Sequence, residues 1–205
     1  RLSTGLSARP APAGPGSTGA LQRAQAYWQR YDRKGNVDLA IAALEPASRR
    51  DPASAAIQAA LAEAYVRKYA ETPEKQWLAK ALDAGRRAVG ANEDLAAAHI
   101  GFGMALAANG QNGEAIRRFE RACDLNPLSG PAHAGLARLR PAPEAEPLFL
   151  PAVRESPADW APLHELARFN FRAAQYEKSV AAWRRALDLA PDNVLVMSYL
   201  GGHIT

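Results

Sequence analysis

The sequence predicts an all-α chain of stacked helix hairpins, and three observations predict it. Hydrophobic residues make up 48% of the 205 residues, with much alanine and few of the runs that strands need. In Ala96–Pro127 the apolar residues keep helical spacing on both sides of a glycine: Phe102, Gly103 and Leu106 precede Gly110. Ala115, Phe119 and Ala122 follow it, before Pro127 stops the second helix. The same offsets recur ahead of Pro52, as Tyr27, Tyr31, Gly35, Ala40, Leu44 and Ala47, and ahead of Pro191, as Leu166, Ala167, Trp183 and Ala186. A single hairpin cannot bury its apolar face alone, so recurrence is what the physics requires.

This pattern resembles the tetratricopeptide repeat, a unit of 34 residues with a large apolar residue, a small one and an aromatic, then alanine, aromatic, alanine and a terminal proline. Gly103 and Ala115 are small where the two helices of a unit close up, and Phe102, Phe119 and Ala122 fill the space to the next hairpin. The chain departs from the pattern at Leu106, where the family has tyrosine, and at His99, where it has tryptophan. The resemblance implies a right-handed superhelix, an α-solenoid of about five hairpins and one terminal helix spanning residues 20–205.

Residues 1–19, rich in Pro, Gly, Ser, Thr and Ala, hold too little apolar surface to offset the entropy of ordering, so a disordered linker is expected there. The first unit, 21–54, carries Trp28 where a small residue would let the helices close. That predicts either a splayed hairpin or an indole turned outward as an N-terminal cap. In the second unit, 55–95, sixteen residues separate Tyr65 from Ala81, against nine from Leu106 to Ala115 in the third, 96–129. The excess is two helical turns, so each helix gains about one. Tyr69 and Trp77 then continue the inward faces and are expected to meet, with Thr72 as N-cap and Pro73 as first residue of the second helix. Trp77, Leu78, Lys80, Ala81 and Leu82 resemble a segment of tetratricopeptide regions joined to bacterial serine/threonine kinases.

The fourth unit, 130–159, is four residues short between Arg140 and Ala145 and has Pro147 and Pro151 in its second helix. A shortened, kinked or partly irregular helix is expected, and a weak joint with it. The fifth unit, 160–193, is regular, with Asn170 and Ser179 at the tyrosine and alanine offsets. Residues 194–205 begin a sixth and offer Val194, Leu195, Val196, Met197, Tyr199, Leu200 and Ile204 as an apolar strip suited to self-association.

Chemistry is sparse. Cys123 alone cannot form an internal disulfide and is expected to be a small buried residue. His99 and His133 share an offset on neighbouring first helices, whose axes lie about 8–10 Å apart. A shared metal needs donors at about 2 Å and a further ligand, so interface histidines and no metal are expected. There is no phosphate-cradling loop, nucleophile elbow or paired carboxylate set, hence no enzyme and no cofactor within these residues. The net charge of +4 is carried by Arg1, Arg9, Arg23 and Arg30, with 21 basic and 21 acidic residues from Asp32 onward. That lacks the basic stripe of a nucleic-acid binder, so no nucleic-acid partner is expected. No apolar run approaches the roughly 20 residues of a membrane helix. The chain opens on Arg1 and stops inside a unit, which reads as a piece of a longer protein, with a cytoplasmic location favoured or a periplasmic one if a span lies upstream.

The resemblance implies a protein-interaction scaffold, with first helices lining a concave groove. Its alternative is the regulatory or sensory arm of a larger bacterial signalling enzyme such as a serine/threonine kinase. The groove offsets, two before and two after the large apolar residue, give Gln25 and Gln29, Ala59 and Glu63, Ile100 and Met104, Ala134 and Arg138, and His164 and Arg168, with Arg172 one turn on. The expected partner is an extended segment with an apolar anchor near Met104 and acidic or phosphorylated residues toward Arg138, Arg168 and Arg172, which have no acid among these neighbours.

Overall fold

A computed structural model describes residues 15–28, 30, 33–127, 129–140, 142–155 and 157–201. Residues 1–14 of the expected linker and Ile204 of the apolar strip lie outside them. Among the described residues there are eleven α-helices and no strand. They pair as α1 (Pro15–Trp28) with α2 (Asn36–Arg50), α3 (Ala55–Glu71) with α4 (Lys75–Ala91), and α5 (Ala96–Ala108) with α6 (Asn112–Leu125). The array continues with α7 (Gly130–Leu139) and α8 (Ala142–Glu155), then α9 (Trp160–Arg172) and α10 (Tyr176–Leu189), and α11 (Val194–Gly201) stacks on α10.

This is an all-α helical-repeat solenoid. The first helices α1, α3, α5, α7 and α9 touch one another in succession, whereas each second helix meets its own partner and the first helix that follows. The side on which neighbours approach is the inside of a curve, so the first helices form the concave layer. Burial follows the array as a chain of clusters: Leu44, Ile57, Leu61 and Tyr65; Phe102, Leu106, Phe119 and Leu136; Phe149 and Phe169; Trp160, Leu163, Trp183 and Val196.

Three devices repeat and fix the register. First helices are capped by the side chains of Ser54, Ser129, Asp159 and Asn193, which accept from Ile57, Ala132, Ala161 and Val196 N–H. At one offset, Gln58, His99 and His133 each bond through a side-chain nitrogen to the carbonyl six residues earlier, of Pro52, Glu93 and Pro127. The histidines therefore brace the joints between hairpins. Phe119 supplies the third device, wedged between Gly103, where a Cβ would lie 3.0 Å from its ring, and Gly135, where a Cβ would overlap it.

The turn from first to second helix uses a left-handed residue at one recurring position: Gly35 (φ 90°), Gly110 (φ 76°) and Ala174 (φ 58°). After Gly110, Gln111 N–H reaches Leu106 O, and after Ala174, Gln175 N–H reaches Asn170 O, closing the same helix-ending motif. Ala174 carries the Cβ penalty that glycine avoids, about 1–2 kcal/mol, against a smaller gain in unfolded-state entropy for glycine. Ala174→Gly is therefore expected to raise stability by roughly 0.5–1 kcal/mol, visible as a higher urea midpoint at unchanged slope.

The seven-residue excess of the second unit is realised as expected, α3 and α4 having 17 residues each against 13 and 14 in α5 and α6. The aromatic pairing is corrected. Trp77 stacks on Tyr65 (centroids 6.0 Å apart) rather than on Tyr69, and Lys80 Nζ lies over both rings at 4.8 and 5.3 Å. Four residues advance a helix by about 400°, so Tyr69 is turned some 40° off the face that Tyr65 presents. Thr72 is likewise not the N-cap of α4: it ends α3, its hydroxyl donating to Lys68 O, and Glu74 occupies the N-cap position.

Three further expectations change. Helix α1 starts at Pro15, so residues 15–19 belong to the first hairpin rather than to the linker, and Ser17 and Ala20 are buried. Trp28 is not turned outward: it packs, half-buried, against the first cluster. Nor is α8 shortened. It runs 14 residues, as long as α6 and α10, with Pro147 and Pro151 inside it. Pro147 is exposed and Pro151 half-buried one turn on, while Phe149, with no exposed surface, holds the opposite side against Phe169 at 5.3 Å.

Candidate interaction groove

The offsets expected to line the groove split into two rows. From the second unit on, the earlier member of each pair is drawn into the contacts of the first helices: Ala59 is buried, and Ile100 and Ala134 are half-buried against their clusters. The later member stays nearer the surface: Glu63 and Met104 are half-buried and Arg138 is exposed. Gln25 is exposed on α1, and the side chain of Gln29 lies outside the described residues.

His164 departs furthest from its expected place. It is 1% exposed, enclosed by Trp160, Trp183 and Tyr199, with ring centroids 5.8, 6.4 and 5.2 Å away. Trp183 Nε1 donates to its Nδ1 at 3.2 Å. Burial pushes the imidazole down to about 4, against a smaller opposing effect of Glu165, so it is neutral near pH 7 and is no groove residue. The cover comes from Tyr199 on α11, which the offsets within the fifth unit do not reveal.

Contrary to the expectation from the offsets, the arginines have an acid beside them. Glu165, mostly buried on α9, lies between two of them: Arg168 Nη1 is 3.3 Å from its Oε1, and Arg138 Nε, reaching across from α7, is 3.8 Å from its Oε2. Arg172 is exposed one turn beyond. Two guanidinium groups share one carboxylate and Arg172 adds a third charge nearby in the helix, so this stretch of α9 and α7 keeps an excess of positive charge. Toward the N-terminus the sign is balanced, Glu63 being held by Arg67 at 2.6 Å. Glu165 sits at the offset of Gly101 and Gly135, and a carboxylate replacing a glycine in that series, three residues before Arg168, was the signal available in the sequence.

The other candidate groups are inert. Cys123 is half-buried, 3.8 Å from His133 Nδ1, and burial raises its thiol pKa, so it is a poor nucleophile. Among the described residues no three His, Cys, Asp or Glu side chains converge as metal ligands, and no helix is long and apolar enough to cross a membrane. A cavity of about 320 Å³ lies between α9 and α10, lined by Phe171, Tyr176, Ser179, Val180 and Trp183. On α11, Val194 and Met197 are exposed, but Val196 is buried and Leu195, Tyr199 and Leu200 pack on the tryptophan cluster, so the apolar strip is narrower than its sequence suggests.

No family model matches the sequence, and no curated protein matches it. Among solved structures the chain is similar to TTC0263, a thermophilic TPR protein of Thermus thermophilus, with a TM-score of 0.75 and 16% identity over 92% of this chain and 98% of that one. It is also similar to YrrB, a TPR protein with an unusual peptide-binding site, with a TM-score of 0.52 and 19% identity over 92% of this chain and 91% of that one. A third likeness is to the human IFIT1 dimer with PPP-AAAA, at TM-score 0.69 and 18% identity, covering 82% of this chain and 41% of that one.

Proposed function

We propose, for a chain whose fold is that of the tetratricopeptide-repeat proteins, a non-catalytic scaffold that takes an extended partner segment along its concave layer of first helices. One observation supports the reading: at one end of that layer Arg138 and Arg168 share a single carboxylate, Glu165, and Arg172 is exposed one turn beyond. Arginine forks suit carboxylate and phosphate, and pairs held near buried surface are stronger than those in open water. A partner segment carrying glutamate, aspartate or phosphoserine gives both arginines a second acceptor, while an apolar residue two units upstream rests against Met104 and Ile100. The peptide-binding site named for YrrB adds support at the level of the fold.

A labelled peptide with one leucine and a run of glutamates or phosphoserines tests it by fluorescence anisotropy. Arg138→Glu with Arg168→Glu is expected to weaken binding at least tenfold, since a hydrogen bond to a charged group contributes about 1.5–3 kcal/mol. Glu165→Gln removes the internal competitor and is expected to tighten it. Unchanged affinity in both variants, or no binding by the wild type to any such peptide, rejects the groove.

A further inference from the structure

The two ends of the array touch. Arg33 Nη2 lies 2.7 Å and Arg30 Nη1 3.1 Å from the carboxylate oxygens of Asp192, residues some 160 positions apart in the chain. The arginines stand in the turn between α1 and α2, and Asp192 in the loop between α10 and α11. In a solenoid of hairpins those connections lie on opposite edges of the ribbon. The two edges meet here because the ribbon winds round until the turn of the first hairpin comes within side-chain reach of the loop after the last. We infer that Asp192, clasped by Arg30 and Arg33, is an electrostatic latch that holds the solenoid as a closed turn in equilibrium with an open arc.

The latch is the kind of contact that releases easily. Arg33 and Asp192 are well exposed, and such pairs are weak and screened by salt. Its reach is nevertheless long, because each hairpin touches only its neighbours and small changes of rotation at each joint add up along the array, so a contact between the ends restrains their sum. The two guanidinium groups also hold the Asp192 carboxyl below the usual carboxylate range, Arg33 contributing most, in keeping with the geometry. Closure narrows access to the concave layer, and an acidic segment approaching Arg30 and Arg33 competes with Asp192 for them. That regulatory consequence rests on the groove proposed above, whereas the latch itself does not.

Small-angle X-ray scattering separates the two. The wild-type chain is expected to be compact at low salt (about 0.01 M, Debye length about 30 Å) and longer at about 1 M (about 3 Å), its maximum dimension growing by about 10 Å, the width of a helix layer. Asp192→Lys is expected to be extended at both salts, with unaltered circular dichroism, and the swap of Arg30→Asp, Arg33→Asp and Asp192→Arg to recover the compact low-salt form. Should the swapped chain misfold, Asp192→Asn serves in its place and is expected to be extended at low salt. Superposable profiles for wild type and Asp192→Lys, or a folded swap that stays extended, overturn the latch and leave the groove untouched.

Discussion

Trp183→Ala is expected to cost the fold about 3–5 kcal/mol, the usual loss when a buried aromatic is removed. Trp183 is 1% exposed and the largest fully buried side chain among the described residues. It joins three helices: its ring lies 6.4 Å from His164 on α9, 6.2 Å from Phe171 on the same helix and 5.4 Å from Tyr199 on α11, against which it stacks. Its indole N–H is the donor to His164 Nδ1. Alanine therefore opens a cavity and strands a buried acceptor at the same time, and neither loss can be made good by neighbours already in contact. Domains of this size are stable by about 5–15 kcal/mol, so the change takes a large part of the total. In a linear array it falls mainly on the hairpin that owns the residue, and α9–α11 should melt before α3–α6. Urea unfolding followed by circular dichroism and by the fluorescence of the remaining tryptophans is expected to split into two steps. A loss below about 1 kcal/mol in a single step would show that α11 does not close over this ring.

What could be read in the sequence is what depends on neighbours along one helix or within one hairpin. The offsets of Gly103, Phe119 and Pro127 encode the meeting of two adjacent helices, and a helix hairpin is a local object, so its register and the number of units follow from spacing alone. The lengthening of α3 and α4 was legible for the same reason, because seven residues can be placed only as turns. Direction of a side chain about the helix axis was not. An error of some 40° moved the partner of Trp77 from Tyr69 to Tyr65. Proline penalties were legible as a tendency and misleading as a boundary, since Phe149 and Phe169 hold α8 together where propensity would end it. Exposure along the candidate groove was half legible: that Met104 and Arg138 lie nearer the surface follows from offset, but Glu165 pairs across to another helix, and the cover on His164 is supplied by the next unit. The clasp on Asp192 joins residues too far apart for any periodicity to reveal.

The burial of His164 has a consequence in solution that is nearly as large as the loss of its neighbour. In the folded chain its pKa is about 4 against an ordinary 6.5, because the enclosed site desolvates the imidazolium. The unfolded chain takes up a proton as pH falls through 6.5, and the folded chain does not until near 4. The unfolded state thus binds more protons across that window, and stability falls as pH falls. The contribution is complete above about pH 6.5 and is lost progressively down to about 4, by roughly 3 kcal/mol in all. Carboxylates titrate toward the lower end of the same window, so the effect is read as a difference between two proteins. His164→Gln keeps an oxygen to accept from Trp183 Nε1 but has no proton to gain. Denaturation midpoints of both chains at several pH values between 7 and 4 are expected to diverge, the wild type losing up to about 3 kcal/mol more than the variant. Parallel curves would mean that the folded chain protonates His164 as readily as the unfolded one, which its enclosure by Trp160, Trp183 and Tyr199 forbids.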